Sequence, residues 1–225
     1  MAIARQLLNV TFIATLLASL AFSLFAVGNA ADLVELPASA EETSPLMTGD
    51  PAPAFTVRTV AGVDHRFDPG ALARPTVLIS FRGGWCPYCN LHLSELRTVI
   101  PGIREMGYDV LFLSNDRPDQ LYSGLARETR DDIEALDYTI LSDANLEAAR
   151  AFGTAFRTSQ GLEDYLDGKE RDYDDSSIDK FKALSVPFVY VVDRSGMIVY
   201  AFVEADYKVR LSADELHSVA ARAVP

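Results

Sequence analysis

Thr76-Val-Leu-Ile-Ser-Phe81 runs directly into Arg82-Gly-Gly-Trp-Cys86-Pro-Tyr-Cys89. Five apolar or β-branched residues and one serine, without polar alternation, read as a strand buried on both faces. The cysteine motif directly follows this strand and opens a helix, the context that makes it specific. Leu93, Leu96, Ile100 and Ile103 then fall on one helical face, with Pro101 expected to kink that helix. Both cysteines of the chain lie in this strand–turn–helix unit. A thiol at a helix N-terminus meets unpaired backbone N–H groups and the positive end of the helix dipole, which favour thiolate. A second thiol beyond two intervening residues can resolve a mixed disulfide. The pair therefore supports two-electron redox chemistry with no cofactor. A c-type haem site needs His after the second cysteine, where Asn90 stands. A zinc site would need His92 plus His65 or His217 from far along the chain. An inert disulfide closing so short a loop would restrain the unfolded chain little.

The flanking sequence alternates strands and helices. Phe55–Val60 and Val63–Phe67 flank Ala61-Gly62 as a hairpin. Asp109–Ser114 and Tyr138–Leu141 read as further strands, and Pro118–Arg130 as a helix with Pro at its start. Asn145 is the expected cap of a helix over Leu146–Phe152, which Gly153 ends. Phe188–Val192 and Met197–Val203 form a second hairpin across Asp193-Arg-Ser-Gly196, and Ser212-Ala-Asp-Glu215 is a capping box. The order predicts an α/β fold with a central mixed sheet, helices on both faces and an N-terminal hairpin. Segment 154–182 has no sustained period. Between Glu163 and Asp179 it holds eight acidic residues, without the alternation and central Gly of a calcium loop, and reads as a solvated surface insertion.

The chain has 225 residues, 49% apolar and 23% charged, which fits one globular domain and excludes disorder throughout. Two cysteines exclude a disulfide scaffold. A net charge of −12 excludes the basic footprint of a nucleic-acid binder and docking by charge on anionic lipid. Residues 1–30 carry no acidic residue and one basic residue, Arg5, ahead of an apolar run from Leu7 to Val27 and Gly28-Asn-Ala30. This pattern predicts a signal peptide cleaved after Ala30 and a periplasmic or secreted product with no membrane attachment. An uncleaved anchor is the alternative. Residues 31–48 read as a flexible linker and 49–225 as the domain.

Phe81-x-x-x-Trp85-Cys86-x-x-Cys89 is similar to the active-site stretch of thioredoxins. Gly49-Asp-Pro-Ala-Pro-Ala-Phe55 resembles the opening segment of the peroxiredoxin (alkyl hydroperoxide reductase and thiol-specific antioxidant) family. Arg82–Cys89, Val186–Asp193 and Tyr200–Tyr207 resemble its subgroup with a C-x-x-C motif. The resemblance covers about residues 49–225 and implies a thioredoxin-like fold. It implies a Cys86–Cys89 redox disulfide, with Cys86 attacking, Cys89 resolving and Pro187 as the cis-proline facing the pair. Peroxiredoxins have Thr-x-x-Cys, so Cys86 replaces that Thr and Cys89 aligns with the peroxidatic thiol. Pro187 stands where an active-site arginine is usual, and Arg210 aligns with a second one.

Around the motif, Trp85 is expected as a partly exposed ring beside the dithiol or as a core residue. Arg82 is either a charge near the thiolate or a solvated side chain, and His92 either a proton carrier or a surface residue. Asn115 and Asp116 follow a strand end without an assigned role. Three functions follow. One is a thiol–disulfide oxidoreductase acting on protein thiols or disulfides, with an external thiol reductant or oxidant as partner. The second is a peroxidase for hydrogen or organic peroxides, and the third a binding domain with a structural disulfide.

Overall fold

The structure is a computed structural model that describes residues 35–127, 129–130 and 139–223. The expected signal peptide over 1–30, and Tyr138 at the start of one expected strand, lie outside the described residues. The chain divides into two units, Met1–Glu35 and Leu36–Pro225, and the second carries the fold.

Nine strands are described. They are β1 (Phe55–Arg58), β2 (Asp64–Phe67), β3 (Thr76–Phe81), β4 (Asp109–Ser114), β5 (Thr139–Ser142), β6 (Ala155–Arg157), β7 (Ala183–Ser185), β8 (Phe188–Val192) and β9 (Ile198–Val203). Seven form one sheet in the order β2-β1-β5-β4-β3-β8-β9. β3, β4 and β5 run parallel in its centre, and β1, β2, β8 and β9 pair antiparallel at its flanks. The mixed α/β sheet expected from the sequence is thus present. All six residues of β3 are buried, as the unbroken apolar run requires of a central strand. The C-terminal ends of β3 and β4 carry the loops of the site, where ligands gather in sheets of this kind.

Helices α1 (Pro87–Leu96) and α2 (Ile100–Glu105) follow β3. Pro101 does not kink one helix. Helix α1 stops at Leu96, and Pro101 sits in the first turn of α2, where its missing N–H leaves no bond unmade. Leu93, Leu96, Ile100 and Ile103 are buried together with Val77, Ile79, Phe112 and both cysteines.

The helix expected over Pro118–Arg130 is broken. Pro118–Gln120 is a 3-10 turn, residues 121–124 are turns, and Arg127 begins a helical stretch. In α3 (Glu147–Ala151) the cap is not Asn145. Buried Asp143 accepts from Ala148 N at 3.0 Å and Ala149 N at 2.9 Å, while Leu146 takes the left-handed conformation at φ 57°.

Segment 154–182 is folded rather than irregular. β6 and β7 pair antiparallel and enclose α4 (Gln160–Gly168) and α5 (Ser177–Phe181), whose Leu166 and Ile178 join the main core. Its acidic stretch is anchored by Arg117, which grips Asp172 through both guanidinium nitrogens at 2.7 and 2.8 Å. The chain closes with α6 (Ala213–Ala223). Of the expected capping box the Ser212 half is present, Ser212 Oγ accepting from Glu215 N at 3.2 Å, while the Glu215 carboxylate accepts from Tyr200 Oη at 3.3 Å.

The linker expected over 31–48 packs on the domain from Leu36 onward. Pro37 O accepts from Arg157 N at 2.8 Å, Leu46 N donates to Phe152 O at 3.0 Å, and Leu46 O accepts from Tyr190 Oη at 2.8 Å. Residues 36–48 therefore form a strap.

Candidate active site

Cys86 ends the loop after β3 and is the N-cap of α1, and Cys89 lies in that helix's first turn. Both are free thiols, and both are buried, with 1% and 0% of their surface exposed. The Cys86 thiol is lowered to about 7. The chief cause is the hydrogen bond it receives from the Cys89 thiol, helped by the Cys89 backbone N–H and the charges of Arg82 and Arg210, against the opposing effect of burial. The Cys89 thiol is pushed well up, first by burial and then by its bond and proximity to Cys86. Two neighbouring thiols are thus driven apart into a thiolate and a proton donor.

Three buried polar groups hold the loop in place. Asn90, on α1, donates through Nδ2 to Gly84 O at 2.7 Å and Cys86 O at 3.0 Å, and its Oδ1 accepts from Ala126 N at 2.8 Å. Asp116, just past β4, accepts from Gly84 N at 2.7 Å and from Ser114 Oγ at 3.2 Å. Burial raises the Asp116 carboxyl to about 6, partly offset by those bonds. Ser80 Oγ donates to Val186 O at 3.3 Å and accepts from Phe188 N at 3.1 Å, which ties the backbone on both sides of Pro187 to the end of β3. Gly84 has no room for a side chain, because a Cβ there would overlap Gly124 C and O.

Arg82 is not solvated. It is 9% exposed, and its Cζ lies 4.4 Å from the Tyr207 ring centre and 5.2 Å from that of Trp85. Trp85 is a core residue, 8% exposed. Tyr207 in turn meets the half-exposed Tyr88 edge-on, with centroids 5.7 Å apart. Arg210 reaches the dithiol through Nη2, 3.5 Å from Cys89 Sγ. His92 is buried rather than on the surface. Its Nε2 is bonded to Leu211 O at 3.0 Å, and burial depresses the imidazole to about 4, so it stays neutral near pH 7. Pro187 is in a trans peptide, since no described peptide bond is cis. Among the described residues, no cluster of three or more His, Cys, Asp or Glu is placed to hold a metal ion.

A model of the AhpC/TSA family matches residues 48–201. This chain belongs to the AhpC/TSA family. No curated protein sequence matches it. Solved structures share the fold of this AhpC/TSA protein. The peroxidoxin BcpB from Mycobacterium tuberculosis is 19% identical with a TM-score of 0.54, over 80% of this chain and 99% of its own. Reduced Prx3 in complex with hydrogen peroxide from Vibrio vulnificus is 16% identical with a TM-score of 0.59, over 78% and 99%. A putative thioredoxin reductase from Burkholderia cenocepacia is 15% identical with a TM-score of 0.57, over 78% and 98%. The thioredoxin-like fold expected from the motif resemblance is the one these structures share.

Within this AhpC/TSA fold, the structure gathers Cys86, Cys89, Arg82, Trp85 and Arg210, with Pro187 on the cavity that Arg82 lines. Sequence reasoning missed Tyr207, Asn90 and Asp116 as parts of the site. Asp116 had a readable signal, since it follows the end of a buried strand, where the sites of α/β folds gather. Tyr207 and Asn90 had none. A cavity of about 480 Å³ lies at the far end of the sheet, by Thr76, Asp109 and Thr139 at the starts of β3, β4 and β5, away from the dithiol.

Proposed function

We propose that this chain is an exported dithiol oxidoreductase in which Cys86 is the nucleophile and Cys89 the resolving thiol. The observation that carries the reading is the placement of two free thiols at one helix start, Cys86 as the N-cap of α1 and Cys89 in its first turn, with Arg210 Nη2 3.5 Å from Cys89 Sγ. The opposed shifts of the two thiols agree with it. The first step forms a bond from Cys86 sulfur to one atom of an S–S or O–O bond and expels the other as thiolate, or as alkoxide from an organic hydroperoxide and hydroxide from hydrogen peroxide. In the second, Cys89 loses its proton and attacks Cys86 sulfur, expelling the bound thiol, or water from a sulfenic acid. The dithiol becomes a disulfide, the substrate gains two electrons, and an external dithiol reductant restores the enzyme. Burial of both sulfurs favours a small substrate over a folded protein disulfide. Export rests on the composition of residues 1–30.

Within that chemistry, the peroxidase reading draws support from the two arginines. The guanidinium groups of Arg82 and Arg210 lie beside the sulfurs, where negative charge develops on a departing oxygen. The test is stopped-flow mixing of reduced protein with hydrogen peroxide, read by the fluorescence of Trp85, the single Trp of the chain. A signal orders of magnitude faster than a free thiol gives, lost in Cys86→Ser and kept for its first phase in Cys89→Ser, is the expected peroxidase result. A rate no faster than a free thiol, with rapid reduction of a small disulfide, leaves disulfide exchange as the activity. Inertness to both overturns the proposal.

A further inference from the structure

Arg82 is a buried cation that pairs with no carboxylate among the described residues; the anion that favours its charge is the Cys86 thiolate. Its guanidinium makes no hydrogen bond or ion pair with a described residue, and its Nε is buried without a partner. Such a group is expensive to keep from water. The rings of Tyr207 and Trp85 lie over the guanidinium and compensate part of that cost. Rings over the faces of a planar guanidinium leave its N–H groups, which point outward in the plane, unsatisfied. An in-plane acceptor such as a carboxylate satisfies them two at a time.

Arg82 lines a cavity of about 260 Å³ shared with Tyr207, Phe156, Pro187, Arg157 and Ser159. That volume admits a short organic molecule rather than a single water. Two further features favour an anion there. Ser159 is the N-cap of α4, yet its hydroxyl makes no capping bond. The positive end of that helix therefore opens beside a free hydroxyl donor. The strap residues 38–41 complete the wall, and their one carboxylate, Glu41, is engaged by its own backbone and the Ser39 side chain. Phe156 and Pro187 supply an apolar surface for a short carbon stem.

We infer that this cavity is a subsite for the carboxylate of a small substrate whose S–S or O–O bond reacts at Cys86. The assignment rests on the dithiol reading above and adds the class of substrate: short-chain acids carrying a disulfide or a hydroperoxide. The carboxylate is held by Arg82, beside the sulfurs, so the stem reaches from the anchor toward the nucleophile. The chain's overall negative charge repels such anions, so a preference for them has to come from a local site.

The probes are 3,3′-dithiodipropionate and its neutral diamide, which present the same disulfide with and without carboxylates. A hydroperoxy acid and its methyl ester form the peroxide arm and distinguish the two electrophiles. The reduced protein is expected to react roughly tenfold faster with the acid of a pair than with its neutral partner at low salt. Arg157→Gln and Ser159→Ala are expected to bring that ratio toward one. Butyrate, which cannot react, is expected to change Trp85 fluorescence saturably and to raise the pH at which the Cys86 thiolate forms, because an anion on Arg82 cancels the charge that favours it. Equal rates for acid and neutral partner in both arms overturn the subsite. If no disulfide or hydroperoxide reacts, the redox reading fails, and the butyrate titration decides the subsite alone: no saturable change overturns it, and saturation abolished by Arg157→Gln supports it.

Discussion

Arg210 Nη2 lies 3.5 Å from Cys89 Sγ, joining residues 121 positions apart in sequence. The guanidinium comes from the loop between β9 and α6, and the sulfur from the first turn of α1. Its charge lowers both thiols: at Cys86 it adds to the hydrogen bond from Cys89 and opposes burial, and at Cys89 it opposes both burial and that bond.

Replacing Arg210 by Leu is therefore expected to raise the pH of thiolate formation. Iodoacetamide alkylation of Cys86 at pH 7 should slow by roughly two- to tenfold, since one unit is a factor of ten in thiolate. Absorbance at 240 nm against pH measures the midpoint directly. It should lie near 7 in the parent protein and higher in the variant. An unchanged midpoint would remove Arg210 from the site's electrostatics.

Asp116 and Gly84 form a second long-range pair. Asp116→Ala leaves Gly84 N and Ser114 Oγ without their acceptor, at a cost of about 1–3 kcal/mol. Asp116→Asn keeps an acceptor oxygen and should lose less. Urea denaturation monitored by circular dichroism gives both values.

Gly84→Ala should be destabilising for a steric reason. The added methyl would overlap the Gly124 carbonyl, and backbone cannot rotate away as a side chain can. About 1–3 kcal/mol is expected from overpacking, together with a shifted Trp85 emission that reports movement of the loop. Wild-type stability with unchanged emission would contradict the tight contact.

Two buried groups give opposite dependences of stability on pH. Burial raises the Asp143 carboxyl to about 7, from about 4 in an unfolded chain. The native state then binds more protons, so this contribution is full below pH 4 and is lost as pH rises through 7. His92 is depressed to about 4, so its contribution is full above pH 6.5 and is lost as pH falls toward 4. The melting temperature of Asp143→Asn relative to wild type should therefore rise between pH 5 and 8. That of His92→Gln relative to wild type should rise as pH drops from 6.5 to 4. Each effect should be a few degrees, at about 2–4 °C per kcal/mol for a domain of this size. Differential scanning calorimetry across pH checks both signs.

The central strand, the helix that opens at the cysteines, the two hairpins and the Ser212 cap were legible in the sequence. Each is written within a few residues, in hydrophobic period, turn residues or cap spacing. The acidic insertion misled because composition records exposure and not order. Its two short helices are held by a few buried residues, Leu166 and Ile178, and by Arg117 from the loop after β4. The Asn145 cap failed for a related reason. The nearest capping type in sequence lost to Asp143, whose carboxylate is buried against the helix end.

The sequence by itself determined that two thiols share a strand–turn–helix unit, because chain connectivity forces neighbours in sequence to be neighbours in space. It also determined that β3 and the face of Leu93, Leu96, Ile100 and Ile103 turn inward. Only the tertiary structure decided which polar groups meet there: Arg210 with Cys89, Arg82 between Trp85 and Tyr207, and Asp116 under Gly84. Hydrophobic periodicity buries a face without naming the partner of a buried charge. That partner is fixed by the packing of segments far apart in the chain, and at this site it sets the charge of the sulfur.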